Sequence, residues 1–219
     1  MPGKTITFKW LWVLMIIFIL SCQKEVKQIR VACVGDSITE GYGIVPESRD
    51  SYPSLLKSLL GDSFSVLNAG RSGATLQKAG NRPYWETNEF ANVFEFQPNT
   101  IIIKLGTNDT KPINWKNTDI FANDYQALID TFLTITPTPE IILCTPSPVF
   151  ESNWGINDST LKKGIIPVIN KIAISNELPL VDFYQNLINQ QDKFPDHIHP
   201  NADGARVIAT TIAKELVEN

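Results

Sequence analysis

Both histidines of this chain lie in one short segment, Asp196-His197-Ile198-His199-Pro200. Residues three apart in a turn can face each other, so the spacing predicts that Asp196 accepts a hydrogen bond from one ring nitrogen of His199. The other ring nitrogen is then free to accept a proton from a nucleophile. His197 is adjacent to Asp196 and is expected to point elsewhere. The segment therefore predicts a general base that is held in place by a carboxylate.

A serine stands where such a base can activate it. The segment Gly35-Asp36-Ser37 follows the apolar run 31–34, and a glycine there permits a tight turn that lifts the next hydroxyl out of a sheet edge. Serine is a poor nucleophile unless a base lies within hydrogen-bond reach. We therefore predict a catalytic triad in which Ser37 attacks, His199 takes its proton and Asp196 orients the imidazole.

Short apolar runs alternate with longer helical patterns, and these elements must position the triad. The predicted strands are residues 29–34, 64–68, 100–105, 140–144 and 180–182, and the predicted helices are residues 52–60, 86–94, 119–133, 159–176 and 203–217. Pro167 is expected to kink or restart the fourth helix. Near-continuous apolar strands fit a sheet that is buried on both faces. The pattern predicts an α/β fold with a doubly wound, five-stranded parallel sheet flanked by helices, which binds ligands at the carboxyl ends of its strands.

The loops at that edge carry four polar segments. They are Gly35-Asp36-Ser37-Ile38-Thr39-Glu40, Gly70-Arg71-Ser72-Gly73, Gly106-Thr107-Asn108-Asp109 and Asp196-His197-Ile198-His199. In this order they resemble the four blocks of the SGNH hydrolases, the GDSL esterase and lipase family, and they are most similar to its bacterial carbohydrate and sialate O-acetylesterase members. The resemblance implies a flavodoxin-like three-layer fold. It also implies a serine esterase that works through an acyl-enzyme intermediate, with no cofactor and no metal.

The resemblance further implies an oxyanion hole made by the backbone N–H groups of Ser37 and Gly73 and the side-chain amide of Asn108. Gly70 stays open as an alternative to Gly73. Asp36 and Asp109 flank these residues, and we expect their carboxylates to accept hydrogen bonds from backbone N–H groups of the loops.

Four further residues are predicted to bind substrate: Arg82, Trp85, Trp115 and Trp154. Each tryptophan lies after a strand end beside polar or aromatic neighbours, and an aromatic face suits the C–H face of a sugar ring. The sequence leaves open that the tryptophans only pin long loops. The leading hypothesis is removal of short acyl groups, acetyl above all, from carbohydrate. The alternatives are a lysophospholipase or acyl thioesterase of the same family, and a glycan-binding lipoprotein that has lost catalysis.

The first residues have the pattern of a bacterial lipoprotein signal peptide. Lys4 and Lys9 precede an apolar stretch over residues 10–20, which is too short for a transmembrane helix of ~20 residues. The segment Ile19-Leu20-Ser21-Cys22 resembles a lipobox. We therefore expect a signal peptide over residues 1–21, a lipidated Cys22, a tether over residues 22–28 and a hydrolase domain over residues 29–219. This predicts an extracytoplasmic protein that is anchored to a bacterial membrane through Cys22.

Composition fits a single globular domain: 219 residues, 43% hydrophobic, with a formal net charge of −4. That charge argues against a nucleic-acid partner. Two histidines without a cysteine cluster argue against a zinc site. Cys33 and Cys144 lie in apolar runs and are expected to be buried free thiols rather than a disulfide.

Overall fold

The computed structural model describes residues 28–218. They form one parallel sheet of five strands in the order β2-β1-β3-β4-β5. The strands are β1 (Ile29–Gly35), β2 (Phe64–Gly70), β3 (Thr100–Lys104), β4 (Glu140–Cys144) and β5 (Leu180–Val181). The predicted three-layer α/β fold is confirmed, and each strand lies within two residues of its predicted bounds.

Nine α-helical segments connect and cover these strands in residues 28–218. They are α1 (Ser37–Glu40), α2 (Glu47–Asp50), α3 (Tyr52–Leu60), α4 (Asn88–Phe96), α5 (Thr118–Phe132), α6 (Asp158–Thr160), α7 (Ile166–Ser175), α8 (Phe183–Leu187) and α9 (Ala202–Glu218). Single 3₁₀ turns occur at Tyr84–Glu86, Asn108–Thr110 and Gln191–Lys193. The short helices α1, α2 and α8 were not predicted from the sequence.

The strand order places a crevice above β1. Gly35 at the end of β1 pairs with Gly70 of β2 on one side and with Lys104 of β3 on the other. The chain therefore winds outward in opposite directions from β1, and the loops that leave β1 and β3 diverge. Ligands of doubly wound folds bind in the crevice at this switch point.

The sheet is buried on both faces, as its apolar strands predicted. Val34 and Ile103 point into a first core with α4, α5 and α7, whereas Cys33 and Ile102 point into a second core with α3 and α9. Alternation of side chains along each strand produces these two cores. Cys33 and Cys144 are buried free thiols, as expected.

The helix predicted over residues 159–176 is divided. A π-helical segment, Leu161–Ile165, joins α6 to α7, and Pro167 lies in the first turn of α7. Proline has no N–H to donate to the preceding turn, so the expectation that Pro167 restarts this helix is confirmed.

The expected signal peptide and all but the last residue of the tether lie outside the described residues. Within residues 28–218, the helices are too short or too polar to cross a membrane.

Candidate active site

Ser37 is presented by the tight connection between β1 and α1. Asp36 caps this helix, since its carboxylate accepts a hydrogen bond from the Ile38 N–H at 3.0 Å. A side chain at Gly35 would collide with Thr39, so glycine lets the strand and the helix approach closely. Ser37 is the first residue of α1, so its backbone N–H has no hydrogen-bond acceptor within the helix.

The structure brings together the three residues of the predicted triad. Oγ of Ser37 is 2.8 Å from Nε2 of His199, although the two residues are 162 positions apart. Nδ1 of His199 is 2.7 Å from Oδ2 of Asp196. Both distances are those of good hydrogen bonds, so a proton path runs from the serine hydroxyl to an imidazole that is held by a carboxylate.

Asp196 is held in its ionised form. Its Oδ1 accepts hydrogen bonds from the backbone N–H groups of Ile198 at 3.0 Å and His199 at 2.7 Å. Partial burial works to raise the pKa of Asp196, but the hydrogen bonds from His199 and Ile198 outweigh it and hold the pKa below its usual value of 3.8. The carboxylate is therefore available to stabilise an imidazolium when His199 takes a proton.

His197 points elsewhere, as the sequence predicted. Its Nε2 lies 3.3 Å from the carboxylate of Glu151, and 41% of its side chain is exposed. Its backbone is left-handed, with φ of 69°. This conformation turns His197 out of the line that joins Asp196 to His199.

The predicted oxyanion donors lie on loops at the same sheet edge. Gly73 follows β2 and has a φ of 80°, and its N–H donates to no backbone or side-chain acceptor among residues 28–218. Asn108 follows β3, and its Nδ2 donates to the Ala74 carbonyl at 3.1 Å, which leaves its second hydrogen available. Gly70 is the last residue of β2, and its N–H donates to Oδ1 of Asn68 at 3.0 Å. Of the two glycines, the geometry favours Gly73 as the donor.

Asp109 ties the Asn108 loop to the Gly73 loop. Its carboxylate accepts hydrogen bonds from the backbone N–H groups of Leu76 at 2.9 Å and Gln77 at 2.8 Å. This confirms the expected role of Asp109 in loop hydrogen bonding. Complete burial raises its pKa from 3.8 to about 6, against the effect of these hydrogen bonds.

Asn114 adds to the connection between the two loops, and sequence analysis did not identify this residue. Its Nδ2 donates to the Asn108 carbonyl at 2.8 Å, and its Oδ1 accepts from the Asn81 N–H at 2.9 Å. Because Asn114 is buried, its hydrogen bond fixes the backbone of Asn108. An amide in an otherwise mixed loop carried no pattern by which this role could be recognised.

A buried ion pair involves Asp36, the residue that precedes the nucleophile. Nζ of Lys104, at the end of β3, is 3.4 Å from Oδ1 of Asp36, and both side chains are fully buried. Burying two charges is costly unless they are paired, so Lys104 secures the residue that caps α1. Sequence analysis did not identify Lys104. The signal that could have found it was a lysine at the end of an apolar strand, Thr100-Ile101-Ile102-Ile103-Lys104.

Trp154 is the tryptophan that lies at the catalytic histidine. Its ring centroid is 5.6 Å from that of His199, its backbone φ is 49°, and it is 53% exposed. Tyr42, which sequence reasoning missed, lies 4.6 Å from the His199 ring and makes an edge contact with Trp154 at 6.4 Å. The only sequence feature that pointed to Tyr42 was its place just after Ser37 and α1. Together Tyr42 and Trp154 form an exposed aromatic wall beside His199.

Trp85 and Trp115 each make packing contacts that support loops, and their part in substrate binding stays a prediction. The indole N–H of Trp85 donates to the Leu76 carbonyl at 2.9 Å. Trp115 packs on Phe121 with ring centroids 6.0 Å apart and covers Gly164, and both tryptophans pack against the first core. These contacts hold the two rings in place. Arg82, the fourth residue predicted to bind substrate, places its guanidinium against Gly73 of the proposed oxyanion hole.

The sequence profile of the GDSL-like Lipase/Acylhydrolase family matches residues 33–207. The chain belongs to this family. The matched region of this GDSL-like protein contains all of Ser37, Gly73, Asn108, Asp196 and His199.

Characterised relatives of this GDSL-like protein include two kinds of esterase. An acetylxylan esterase of Xylanibacter ruminicola is 36% identical over 206 residues, which cover 86% of this chain and 43% of that protein. The thioesterase 1/protease 1/lysophospholipase L1 of Escherichia coli is 25% identical over 186 residues, which cover 84% of this chain and 81% of that protein. The chain thus spans less than half of the acetylxylan esterase.

Solved structures share the fold of this GDSL-like protein. The carbohydrate acetylesterase Est24 of Sinorhizobium meliloti superposes with a TM-score of 0.70 at 20% identity, covering 87% of this chain and 99% of that one. An aryl esterase of M. smegmatis superposes with a TM-score of 0.72 at 20% identity over the same shares of the two chains. At this identity the likeness shows the three-layer fold.

Proposed function

We propose that this protein is a serine carboxylic ester hydrolase that removes acetyl groups from carbohydrate. The observation that carries the proposal is the unbroken hydrogen-bonded series from Ser37 through His199 to Asp196. A hydroxyl that is 2.8 Å from an oriented imidazole is poised for acyl transfer.

In the first half of the reaction, Oγ of Ser37 attacks the ester carbonyl carbon and Nε2 of His199 takes the hydroxyl proton. The carbonyl oxygen becomes an oxyanion that accepts hydrogen bonds from the N–H groups of Ser37 and Gly73 and from Nδ2 of Asn108. Each such donor typically contributes ~3–4 kcal/mol to transition-state stabilisation. The intermediate collapses when His199 returns the proton to the sugar oxygen, which leaves as an alcohol.

The second half repeats these steps with water. Acetyl-Ser37 remains, and His199 takes a proton from a water that attacks the acetyl carbon. Collapse of the second tetrahedral intermediate releases acetate and returns the proton to Ser37. Throughout, Asp196 keeps the imidazole in the tautomer that presents Nε2 to Ser37.

The carbohydrate part of the proposal is supported by the aromatic wall and by the relatives. Tyr42 and Trp154 are each at least half exposed beside His199. The sugar ring of a bound ester would extend out of the site along them. The name of the X. ruminicola relative, acetylxylan esterase, points to the same class of substrate.

A second function is favoured by one finding. The E. coli relative is named as a thioesterase and lysophospholipase, so hydrolysis of longer acyl esters is the alternative reading of the same triad. The two functions share the chemistry and differ in the acyl group that they accept.

The test is a substrate panel. Wild-type protein and Ser37→Ala are assayed on acetylated oligosaccharides, on p-nitrophenyl esters from acetyl to palmitoyl, and on lysolipid esters. We expect turnover of acetyl esters that falls as the acyl chain lengthens and that is lost in Ser37→Ala. A rise in kcat/KM with chain length would establish the lipid alternative, and wild-type turnover of no ester would leave the glycan-binding lipoprotein.

We further propose that the mature protein is anchored to a bacterial membrane, on an extracytoplasmic face, through lipid on Cys22. The support is the charged, then apolar, then small-residue pattern of the first 22 residues. Two or more acyl chains suffice for stable anchoring.

A further inference from the structure

Two residues with cationic side chains, Arg82 and Lys111, contact residues of the proposed oxyanion hole, the first through its guanidinium and the second through its backbone. A Cβ built on Gly73 would be only 3.1 Å from Nη1 of Arg82, so the guanidinium lies directly against that glycine. The backbone N–H of Lys111 donates to the Asn108 carbonyl at 3.3 Å. One cation therefore comes from the loop that carries Gly73 and the other from the loop that carries Asn108.

Both side chains are held at this edge of the site. Nη1 of Arg82 donates to the Ser72 carbonyl at 2.8 Å, which fixes the guanidinium while leaving it exposed. The stem of Lys111 packs on Gly155, the residue after Trp154, since a Cβ built on Gly155 would be 3.7 Å from Cγ of Lys111. Arg82 thus borders the oxyanion hole, and Lys111 borders the aromatic wall.

Neither cation forms an ion pair with a carboxylate within residues 28–218. Two neighbouring acids have other partners: Glu89 pairs with Arg71 at 3.6 Å, and the Glu40 carboxylate accepts a hydrogen bond from the Ser72 hydroxyl. Glu86 lines the same groove as Arg82 but makes no ion pair with it.

The two positive charges act on each other. Burial, and next the charge of Arg82, lower the pKa of the Lys111 ammonium, while the buried Asp36 carboxylate works in the opposite direction. Repulsion between like charges that have no acidic partner destabilises the free protein, and a bound anion would relieve that repulsion.

We propose that Arg82 and Lys111 form a carboxylate subsite, and that the preferred substrate is an acetylated glycan bearing a uronic acid next to the acetylated sugar. A planar guanidinium matches a carboxylate in a bidentate arrangement, and an ammonium adds a point charge. This inference rests on the proposed function and narrows its substrate class.

The test uses a matched pair of substrates, acetylated xylo-oligosaccharides with and without a glucuronosyl side group. We expect wild-type protein to have a higher kcat/KM on the acidic member. Arg82→Gln and Lys111→Gln should each reduce the acidic-to-neutral ratio of kcat/KM by roughly five- to thirtyfold, the range that corresponds to loss of one charged contact. Added salt should reduce the wild-type ratio in the same direction.

Two controls separate charge from structure. Lys171→Gln, at an exposed lysine of α7, should leave the ratio unchanged. Arg82→Lys keeps a positive charge and should retain part of the preference that Arg82→Gln loses. Circular dichroism and unfolding temperature verify that each variant is folded.

The outcomes that overturn the inference are distinct from failure of the proposed function. Equal wild-type rates on the two oligosaccharides would overturn the carboxylate subsite and leave the acetylesterase function standing. So would equal losses on both substrates in the variants, because the cations would then serve only the oxyanion or the fold. A sugar phosphate that inhibits more strongly than free glucuronate would replace the carboxylate with a phosphate. Hydrolysis of neither oligosaccharide, with turnover of simple acyl esters, would instead refute the carbohydrate function itself.

Discussion

The two histidines of the chain differ in their surroundings. His199 has Ser37 on one ring nitrogen and Asp196 on the other, at 2.8 and 2.7 Å. His197 faces the exposed carboxylate of Glu151 at 3.3 Å. Two positions of sequence thus separate a residue that can relay a proton from one that cannot.

A pair of matched substitutions tests this difference. His199→Asn should reduce kcat on p-nitrophenyl acetate by several orders of magnitude, because the members of a triad act as a unit. His197→Asn should have a far smaller effect, and asparagine tolerates the left-handed backbone found at His197. Steady-state kinetics on variants with matched unfolding temperatures provide the measurement. Equal losses would contradict the assignment of His199 as the base.

Trp154 is expected to act on the sugar rather than on the acetyl group. Trp154→Ala should lower kcat/KM on an acetylated oligosaccharide more than on p-nitrophenyl acetate, because ~0.5–1.5 kcal/mol of aromatic contact would be lost only by the bound glycan. Trp85→Ala is the matched control, since Trp85 bonds to Leu76 and packs on Phe90. If Trp154→Ala reduces both substrates equally, the aromatic wall supports His199 and does not bind sugar.

Asp109 should make the folded state less stable as pH rises from about 4 to about 6. Its pKa is about 6 when folded, because burial disfavours the ionised form, against a usual value of 3.8. Between these values the folded state binds more protons than the unfolded state, so the free energy of unfolding falls with rising pH. Since one pKa unit corresponds to about 1.4 kcal/mol, Asp109→Asn should remove up to ~3 kcal/mol of this dependence.

Urea unfolding of wild type and Asp109→Asn between pH 4 and pH 7 provides the measurement. The stability of wild type relative to the variant should decrease across that interval. Asp192→Asn, at an exposed carboxylate, serves as the control. A relative stability that stays constant or rises with pH would show that Asp109 is already ionised at pH 4.

At the level of secondary structure, Trp115 packs against the divided helix α6–α7. A Cβ built on Gly164 would lie 2.7 Å from Cζ2 of Trp115, so the indole occupies the space that this glycine leaves open. The π-helical segment and Trp115 therefore form one packing unit between the loop after β3 and the first core.

Gly164→Ala should destabilise the protein by ~1–3 kcal/mol through overpacking against Trp115. In a Trp115→Ala background the same substitution should become neutral or slightly stabilising, since alanine suits a helix better than glycine by ~0.5–1 kcal/mol. A double-mutant cycle from urea unfolding measures this coupling. Additive effects of the two substitutions would show that the indole and Gly164 do not pack together.

The sheet and the triad could be predicted because each leaves a local pattern. An apolar run such as Ile101-Ile102-Ile103 is readable without its neighbours, and so is the spacing of Asp196 and His199. The pairing of Lys104 with Asp36 could not be predicted, because it depends on two strands lying side by side. The contact of Tyr42 with His199 could not be predicted for the same reason, because it forms only when both ends of the described chain meet.

At the scale of the whole molecule, the proposed membrane anchor depends on a single residue, Cys22. Cys22→Ser should abolish lipidation and release soluble or unprocessed protein, because the thiol alone can carry a thioether-linked lipid at that position. Membrane fractionation of cells that express wild type or Cys22→Ser provides the measurement, with Cys33→Ser as the matched control. Equal membrane recovery of wild type and Cys22→Ser would contradict the anchor.

The Ser37–His199 hydrogen bond spans 162 positions of sequence, and this has a consequence during synthesis. At ~5–20 residues per second, Ser37 precedes His199 out of the ribosome by on the order of ten to thirty seconds. Through that interval the hydroxyl has no base and no more reactivity than any other serine. Acyl transfer begins only once the turn at Asp196 reaches the carboxyl end of β1 and α9 packs on α3, so the nascent chain is protected from acylating itself before it has folded.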